Sequence, residues 1–181
     1  MEIMTERLCL RPWEDADAAA LYRYGQDPRV GPAAGWSPIT DELHALGVIR
    51  GVLSAPETYA VVLRETGEPV GSAGIKFAGN TGTPVAAHET ELGYWIGVPY
   101  WGRGLIPEAV NALLARCFTA LCCTGVWCGY YEGNERSRRV QEKCGFVYSH
   151  DRAVVTSFGE PRTEHFTFLS REAWRARQTD G

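Results

Sequence analysis

The chain has no excess of basic residues. Its 18 Lys and Arg stand against 22 Asp and Glu in 181 residues, a formal net charge of −4. A general nucleic-acid binder needs a basic face to neutralise phosphates, so that class is set aside. Mild acidity leaves room for a cationic or amine substrate. No apolar run approaches the roughly 20 residues that a membrane-spanning helix requires. The opening Met1-Glu2-Ile3-Met4-Thr5-Glu6-Arg7 lacks the basic start and apolar stretch of a secretory leader, so a cytoplasmic location is expected. Six cysteines occur, with no C-x-x-C spacing, so no zinc or other metal site is expected. Cys9, Cys117, Cys128 and Cys144 fall among apolar neighbours within predicted strands and helices, which suits reduced, packed thiols.

What is present is ordinary globular composition, 45% hydrophobic and 22% charged, enough for a single domain with a sizeable core. One domain over 1–181 is expected, with its core at about 5–170 and a frayed tail at 175–181. Period-2 patterns predict strands at 7–11, 58–64, 69–77, 89–98, 126–131, 146–155 and 162–169. A helix is expected at 14–24. Ser37-Pro38 reads as a cap followed by a first-turn proline, starting a second helix that runs to about Leu53 and buries Leu43, Leu46, Ile49, Val52 and Leu53. The third helix, 104–121, is the clearest. Val110, Leu113, Leu114, Cys117, Phe118 and Leu121 form one apolar stripe along it. Asn134 suits the cap of a short fourth helix closed by Gly145. Residues 27–35 and 80–84 are Gly-rich loops, the latter expected to be mobile.

The most informative stretch is Glu91-Leu92-Gly93-Tyr94-Trp95-Ile96-Gly97-Val98-Pro99-Tyr100-Trp101-Gly102-Arg103-Gly104-Leu105-Ile106-Pro107-Glu108-Ala109. It reads as a strand, a tight glycine turn and a helix start. Glycines at 102 and 104 allow the turn to bare its N–H groups, and the helix adds its own unpaired N–H groups and dipole. Such a turn receives phosphate oxygens, and Arg103 adds a permanent cation. A P-loop is excluded because Leu105-Ile106 follow Gly104 in place of Lys-Ser/Thr. A Rossmann turn is excluded because its third glycine is missing and the strand order differs.

Four motifs in order carry a resemblance to a known family: Thr5-Glu6-Arg7-Leu8-Cys9-Leu10-Arg11-Pro12; Glu91-Leu92-Gly93-Tyr94-Trp95-Ile96; Tyr100-Trp101-Gly102-Arg103-Gly104 with Glu108-Ala109; and Asn134-x-x-Ser137-x-x-Val140-x-Glu142-Lys143-Cys144-Gly145-Phe146. Over about 5–170 the chain resembles the GNAT superfamily of acyl-CoA-dependent N-acyltransferases, nearest its RimJ/RimL-like branch. The resemblance implies an α/β (α+β) fold with a single mixed, mostly antiparallel central sheet of about seven strands flanked by about four helices. The superfamily loop pattern Gln/Arg-x-x-Gly-x-Gly/Ala is altered here: Trp101 replaces the polar residue and Ile106 the final small one.

By that resemblance acetyl-CoA is the co-substrate and an amine the acceptor, either a protein N-terminus or a small molecule. A homodimer is also implied as possible for this branch. The pyrophosphate would sit on the N–H groups of Gly102, Arg103, Gly104, Leu105 and Ile106. The pantetheine would run beside Ile96, Gly97 and Val98, with Asn134 binding its amide, and a backbone N–H near Ile96 to Val98 would hold the reacting oxygen. Acyl transfer requires a neutral amine, a stabilised oxyanion and a leaving thiolate. Glu91 is the candidate base and Ser137 the candidate donor to the departing sulfur. Tyr131, with Tyr130 as its rival, is a candidate acid. Glu108, in the first turn of the third helix, is read as structural. Trp36 is expected to border the acceptor cleft. Two other classes compete: a non-catalytic acyl-CoA-binding or sensing module, and a nucleotide-binding protein.

Overall fold

In the computed structural model, residues 1–179 are described. The strands are β1 (Ile3–Met4), β2 (Leu8–Arg11), β3 (Thr58–Leu63), β4 (Pro69–Lys76), β5 (Glu89–Ile96), β6 (Gly125–Tyr131), β7 (Val147–Val155) and β8 (Pro161–Ser170). The helices are α1 (Ala18–Gly25), α2 (Glu42–Arg50), α3 (Leu105–Thr119), α4 (Glu135–Cys144) and α5 (Arg171–Thr179). One sheet contains all the strands in the order β1-β2-β3-β4-β5-β6-β8-β7. Every neighbouring pair is antiparallel except β5–β6, which is parallel. The sheet is the mixed, mostly antiparallel one expected, with a short β1 and the helix α5 added.

Strand alternation divides the core in two. On β3, Tyr59 and Val61 join the cluster built on α3, whereas Ala60 and Val62 join the one built on α1 and α2. The α3 stripe is as read from the sequence: Val110, Leu113, Leu114, Cys117 and Phe118 are all buried. The opposite cluster holds Trp13, Leu21, Ile39, Ala45 and Ile49. Trp36 belongs to it as well, edge-on to Trp95 at 5.6 Å, and is not among the residues lining the cavity between β5 and β6. All six cysteines are free thiols; Cys9 is only half-buried and Cys122 is exposed.

Two expectations fail, both for reasons of packing. Helix α2 starts at Glu42, five residues after Ser37, because Ile39 is pinned in extended chain by its N–H bond to the Gly25 carbonyl at 3.0 Å. Gly25 gives it room, since a Cβ there would lie 2.7 Å from Ile39 Cγ1. Asp41 therefore caps the helix, accepting the His44 N–H at 2.7 Å. With Ala45 and Ile49 turned inward, Leu43 and Val52 point to solvent at 79% and 73% exposure.

The tail is the second. Residues 175–179 continue α5, and 180–181 lie outside the described residues. Trp174 packs on Phe118 of α3 with ring centroids 5.2 Å apart, and Arg177 donates to the Lys143 carbonyl at the end of α4 at 3.0 Å. A polar surface with one aromatic anchor gives little periodic signal, so this helix is decided by what it docks on. Trp174→Ala is expected to lower the unfolding free energy by about 1–3 kcal/mol, read by chemical denaturation.

Candidate active site

Strands β5 and β6 pair over only four positions, from Glu89 opposite Gly125 to Leu92 opposite Cys128. Beyond them β5 stays bonded to β4 up to Ile96, and β6 stays bonded to β8 up to Tyr131. The two parallel strands therefore splay. Side chains take carbonyls near the opening: Gln141 Nε2 donates to Gly129 O at 3.0 Å, and Trp101 Nε1 donates to Ile96 O at 3.0 Å. A cavity of about 460 Å3 fills the wedge. Of the residues singled out in the sequence, Glu91, Ile96, Gly102, Gly104, Leu105, Ile106, Tyr131, Asn134 and Ser137 line it; Gly97, Val98 and Arg103 do not. The Gly97 N–H is bonded to Val70 O, and the Gly97 and Val98 carbonyls accept from Tyr100 and Trp101 N–H. The unpaired strand edge thus lies earlier, at residues 93–95.

The glycine turn is built as its sequence suggests. Gly102 and Gly104 both take left-handed backbone, φ 74° and 76°, and nothing crowds either one closer than 3.5 Å. Glycine is needed there for conformation, not for room. Among the described residues, none of the N–H groups of Gly102, Arg103, Gly104, Leu105 and Ile106 donates to another protein group. They sit at the positive end of α3, an anion-receiving arrangement. Ile106, the residue that departs from the loop pattern, is buried in the main core and also borders the cavity. Arg103 packs its guanidinium over the Tyr100 ring at 5.5 Å. The Trp101 ring carries Arg136 stacked on it at 3.7 Å, so a cation from α4 stands beside the position where the loop pattern has Gln or Arg.

Glu108 is structural, as expected, and its partners explain the N-terminal motif. It accepts from Thr5 Oγ1 at 2.6 Å, Arg7 N–H at 2.8 Å and Arg7 Nε at 2.7 Å. Arg7 in turn donates to the Arg103 carbonyl at 2.9 Å. The β1–β2 turn, the glycine turn and the first turn of α3 are thereby one hydrogen-bonded unit. Burial opposes the Glu108 charge, but the bonds from Thr5 and Arg7 outweigh it and hold the carboxyl below its ordinary range.

On the α4 side, Asn134, Ser137 and Gln141 share one helix face. Asn134 caps the helix by accepting the Ser137 N–H at 3.2 Å, and its amide donates to the Ala33 carbonyl at 3.1 Å, fastening the 31–36 segment over the cleft. Ser137 Oγ lies 2.9 Å from Tyr94 OH and accepts from Gln141 Nε2 at 3.2 Å. Gln141 Oε1 accepts from Thr167 Oγ1 at 2.7 Å. Burial holds the Tyr94 hydroxyl well above its usual pKa, so it stays protonated. The Asn-x-x-Ser-x-x-x-Gln spacing carried the signal for Gln141, which sequence reasoning missed.

The opposite wall comes from the other sheet face. Lys76 and Glu91 are register partners and form an ion pair at 2.9 Å. Buried Glu91 also accepts the N–H groups of Gly82 at 2.6 Å and Thr83 at 3.3 Å, so it closes the 79–88 loop onto the cavity. Burial works against the Lys76 charge, yet Glu91 holds the ammonium above its ordinary range. Glu164 of β8 lines the same wall, opposite Tyr131, and sequence reasoning missed it too. A carboxylate on the same strand face as Phe166 and Phe168 was the available signal. Burial, then the Glu91 charge, push it above the usual carboxylate range against Lys76 and Arg152. The Tyr131 hydroxyl reaches Gly35, where a Cβ would approach it to 2.5 Å. Among the described residues, no group of three or more His, Cys, Asp or Glu could hold a metal ion.

Glu108→Ala removes the shared acceptor of three donors. It is expected to lower the unfolding free energy by about 1–3 kcal/mol in denaturant titration at pH 7.

Comparison with known proteins agrees with the geometry. The acetyltransferase (GNAT) domain profile matches residues 7–147. The chain is 31% identical over 124 residues to "Uncharacterized N-acetyltransferase p20" of Bacillus licheniformis, covering 66% of this chain and 67% of that protein. A GNAT-family acetyltransferase structure from Bacillus anthracis superposes with a TM-score of 0.82 at 22% identity, over 95% of this chain and 99% of that one. The ribosomal-protein-S5-alanine acetyltransferase of Vibrio fischeri superposes with a TM-score of 0.74 at 19% identity, over 96% and 98%. With a matched domain spanning the glycine turn, the splayed strands and the start of the final hairpin, the chain belongs to the GNAT acetyltransferase family.

Proposed function

We propose that this chain transfers the acetyl group of acetyl-CoA to a primary amine by direct attack in a ternary complex, and that a protein N-terminal α-amine is its acceptor. One observation carries the reading: a row of free N–H groups at residues 102–106, heading a cavity that opens between two parting strands. Those donors suit a diphosphate. The unpaired edge at 93–95 suits the amides of a pantetheine arm, and the cavity beyond it suits a thioester. Bound there, acetyl-CoA supplies an activated acyl carbon to attack.

The residues around that position divide the work. Ser137 accepts from Gln141, which leaves its own hydroxyl proton to donate toward a departing sulfur. Tyr131 stands on the other wall as a second donor. Glu91 is held by Lys76 and two loop N–H groups, so its part is to fix the 79–88 loop and the charge balance of the wall. A covalent cysteine route is disfavoured: burial raises the Cys128 thiol, and pushes that of Cys144 up to about 11, so neither is a thiolate at neutral pH. The acceptor assignment is supported by the RimJ/RimL-like motifs and by the acetyltransferase named for ribosomal protein S5 alanine among structures of the same fold.

The test is acetylation of a panel of peptides and small amines, read by mass. Transfer to peptide α-amines is expected; transfer confined to small amines would move the acceptor to that class. Acetyl-CoA binding with no amine acetylated would leave a binding module. Acetyl-CoA is expected to raise the melting temperature where ATP and NAD do not; at a hundredfold excess over Kd the gain is about 2.7 kcal/mol. Gly104→Ala must hold left-handed backbone with a side chain, at a cost of about 1–2 kcal/mol. It is expected to weaken acetyl-CoA binding about tenfold, measured by calorimetry, with each 1.4 kcal/mol being a factor of ten.

A further inference from the structure

The two carboxylates on the acceptor wall are held in opposite ways. Glu91 is saturated by an ammonium and two N–H groups. Glu164 lines the same cavity, yet among the described residues no hydrogen bond or ion pair engages its carboxylate. Every fully buried polar side-chain atom there does have a partner, so this free carboxylate is one that opens into the cavity. Its position is set by Gly129: a Cβ on that residue would come within 2.5 Å of Glu164 Oε1. The carboxylate therefore rests on the bare backbone of the first β6 residue beyond the last β5–β6 pair, at the edge of the opening.

We propose that Glu164 is the catalytic base of the acetyl transfer, receiving the proton of the acceptor ammonium where the strands part. This rests on the acetyltransferase reading above. The ammonium gives one proton to the Glu164 carboxylate, which becomes a carboxylic acid. The freed nitrogen lone pair forms the C–N bond to the thioester carbon, the C–S bond breaks, and its electrons leave on sulfur. The second N–H proton passes to that sulfur, giving an amide and a thiol, and Glu164 returns its proton to solvent.

The surroundings fit that task. Glu91 of β5, Lys76 of β4, Arg152 of β7 and Tyr131 of β6 face Glu164. His150 stacks on Phe166 alongside. Arg162, two residues back on β8, is turned to Pro32 O and Glu160. Asp151 and His165 pair with one another on the far sheet face. Lys76 is committed to Glu91, and Arg152 Nη1 donates to Gly82 O. Burial and the Glu91 charge hold the Glu164 pKa above the ordinary range, which makes it a stronger proton acceptor than an exposed carboxylate.

The test compares wild type, Glu164→Gln and Glu164→Asp with the amine that the panel above identifies. Glu164→Gln is expected to lower kcat about 100-fold or more at pH 7, with the KM for acetyl-CoA unchanged. Its deficit should shrink as pH rises toward the pKa of the amine, and Glu164→Asp should recover part of the rate. Stability gives a readout independent of turnover. A carboxyl whose folded pKa is raised destabilises the fold above that pKa and ceases to do so below its unfolded value. Glu164→Gln should therefore melt above wild type at pH 7, with the gap closing as pH falls through the carboxylate range. A wild-type rate and pH profile in Glu164→Gln, or a variant that melts below wild type at pH 7, would overturn the assignment while leaving the acetyltransferase reading in place. A wild-type protein that binds acetyl-CoA and acetylates no amine would overturn both.

Discussion

The short parallel ladder between β5 and β6 governs this molecule. Four residue pairs hold the two halves of the sheet together, and the ladder then stops. Each strand stays bonded to its outer neighbour, so the gap is rigid on both sides. A sheet interior normally has no unpaired backbone; here the unpaired stretch is an opening that a ligand can enter. Gln141 and Trp101 occupy carbonyls near it and help keep it from closing.

Strand alternation gives this opening two chemically different walls. Tyr94 and Cys128 face the α3–α4 side, where Ser137, Gln141 and Thr167 form a neutral hydrogen-bonded network. Glu91, Gly129, Tyr131 and Glu164 face the α1–α2 side, where charges of both signs meet. Such a division suits the proposed pair of a thioester, uncharged at its reacting end, and an amine that arrives as a cation. The glycine turn stands at the head of the neutral wall. Glu108 and Arg7 fix it from beneath through bonds that leave its own N–H groups free.

Much of this was legible from the chain. The α3 stripe, the Asn134 cap, the left-handed glycines at 102 and 104 and the structural part of Glu108 all rest on interactions within a few residues, and local patterns report those. The failures share one feature. Helix α2 starts late because Gly25, far back in the chain, holds Ile39; α5 exists because Trp174 finds Phe118. The Asn134 amide is joined to Ala33, a residue that no local pattern links to it. Tyr94 and Gln141 meet only when β5, β6 and α4 are stacked.

By itself the sequence determined the order of elements from β2 to β8, the glycine turn and the family, because backbone conformation, helix dipole and hydrophobic period are properties of neighbouring residues. Tertiary structure decided which polar side chains are spent and which are free. Glu91 and Glu164 are the same residue type on strands facing the same cavity. Register sets a cation opposite each, Lys76 for the first and Arg152 for the second; Lys76 closes on its partner, whereas Arg152 donates to Gly82 O and leaves Glu164 lying against Gly129. That difference is made by residues distant in sequence, and the reactivity of a carboxylate is set by what surrounds it.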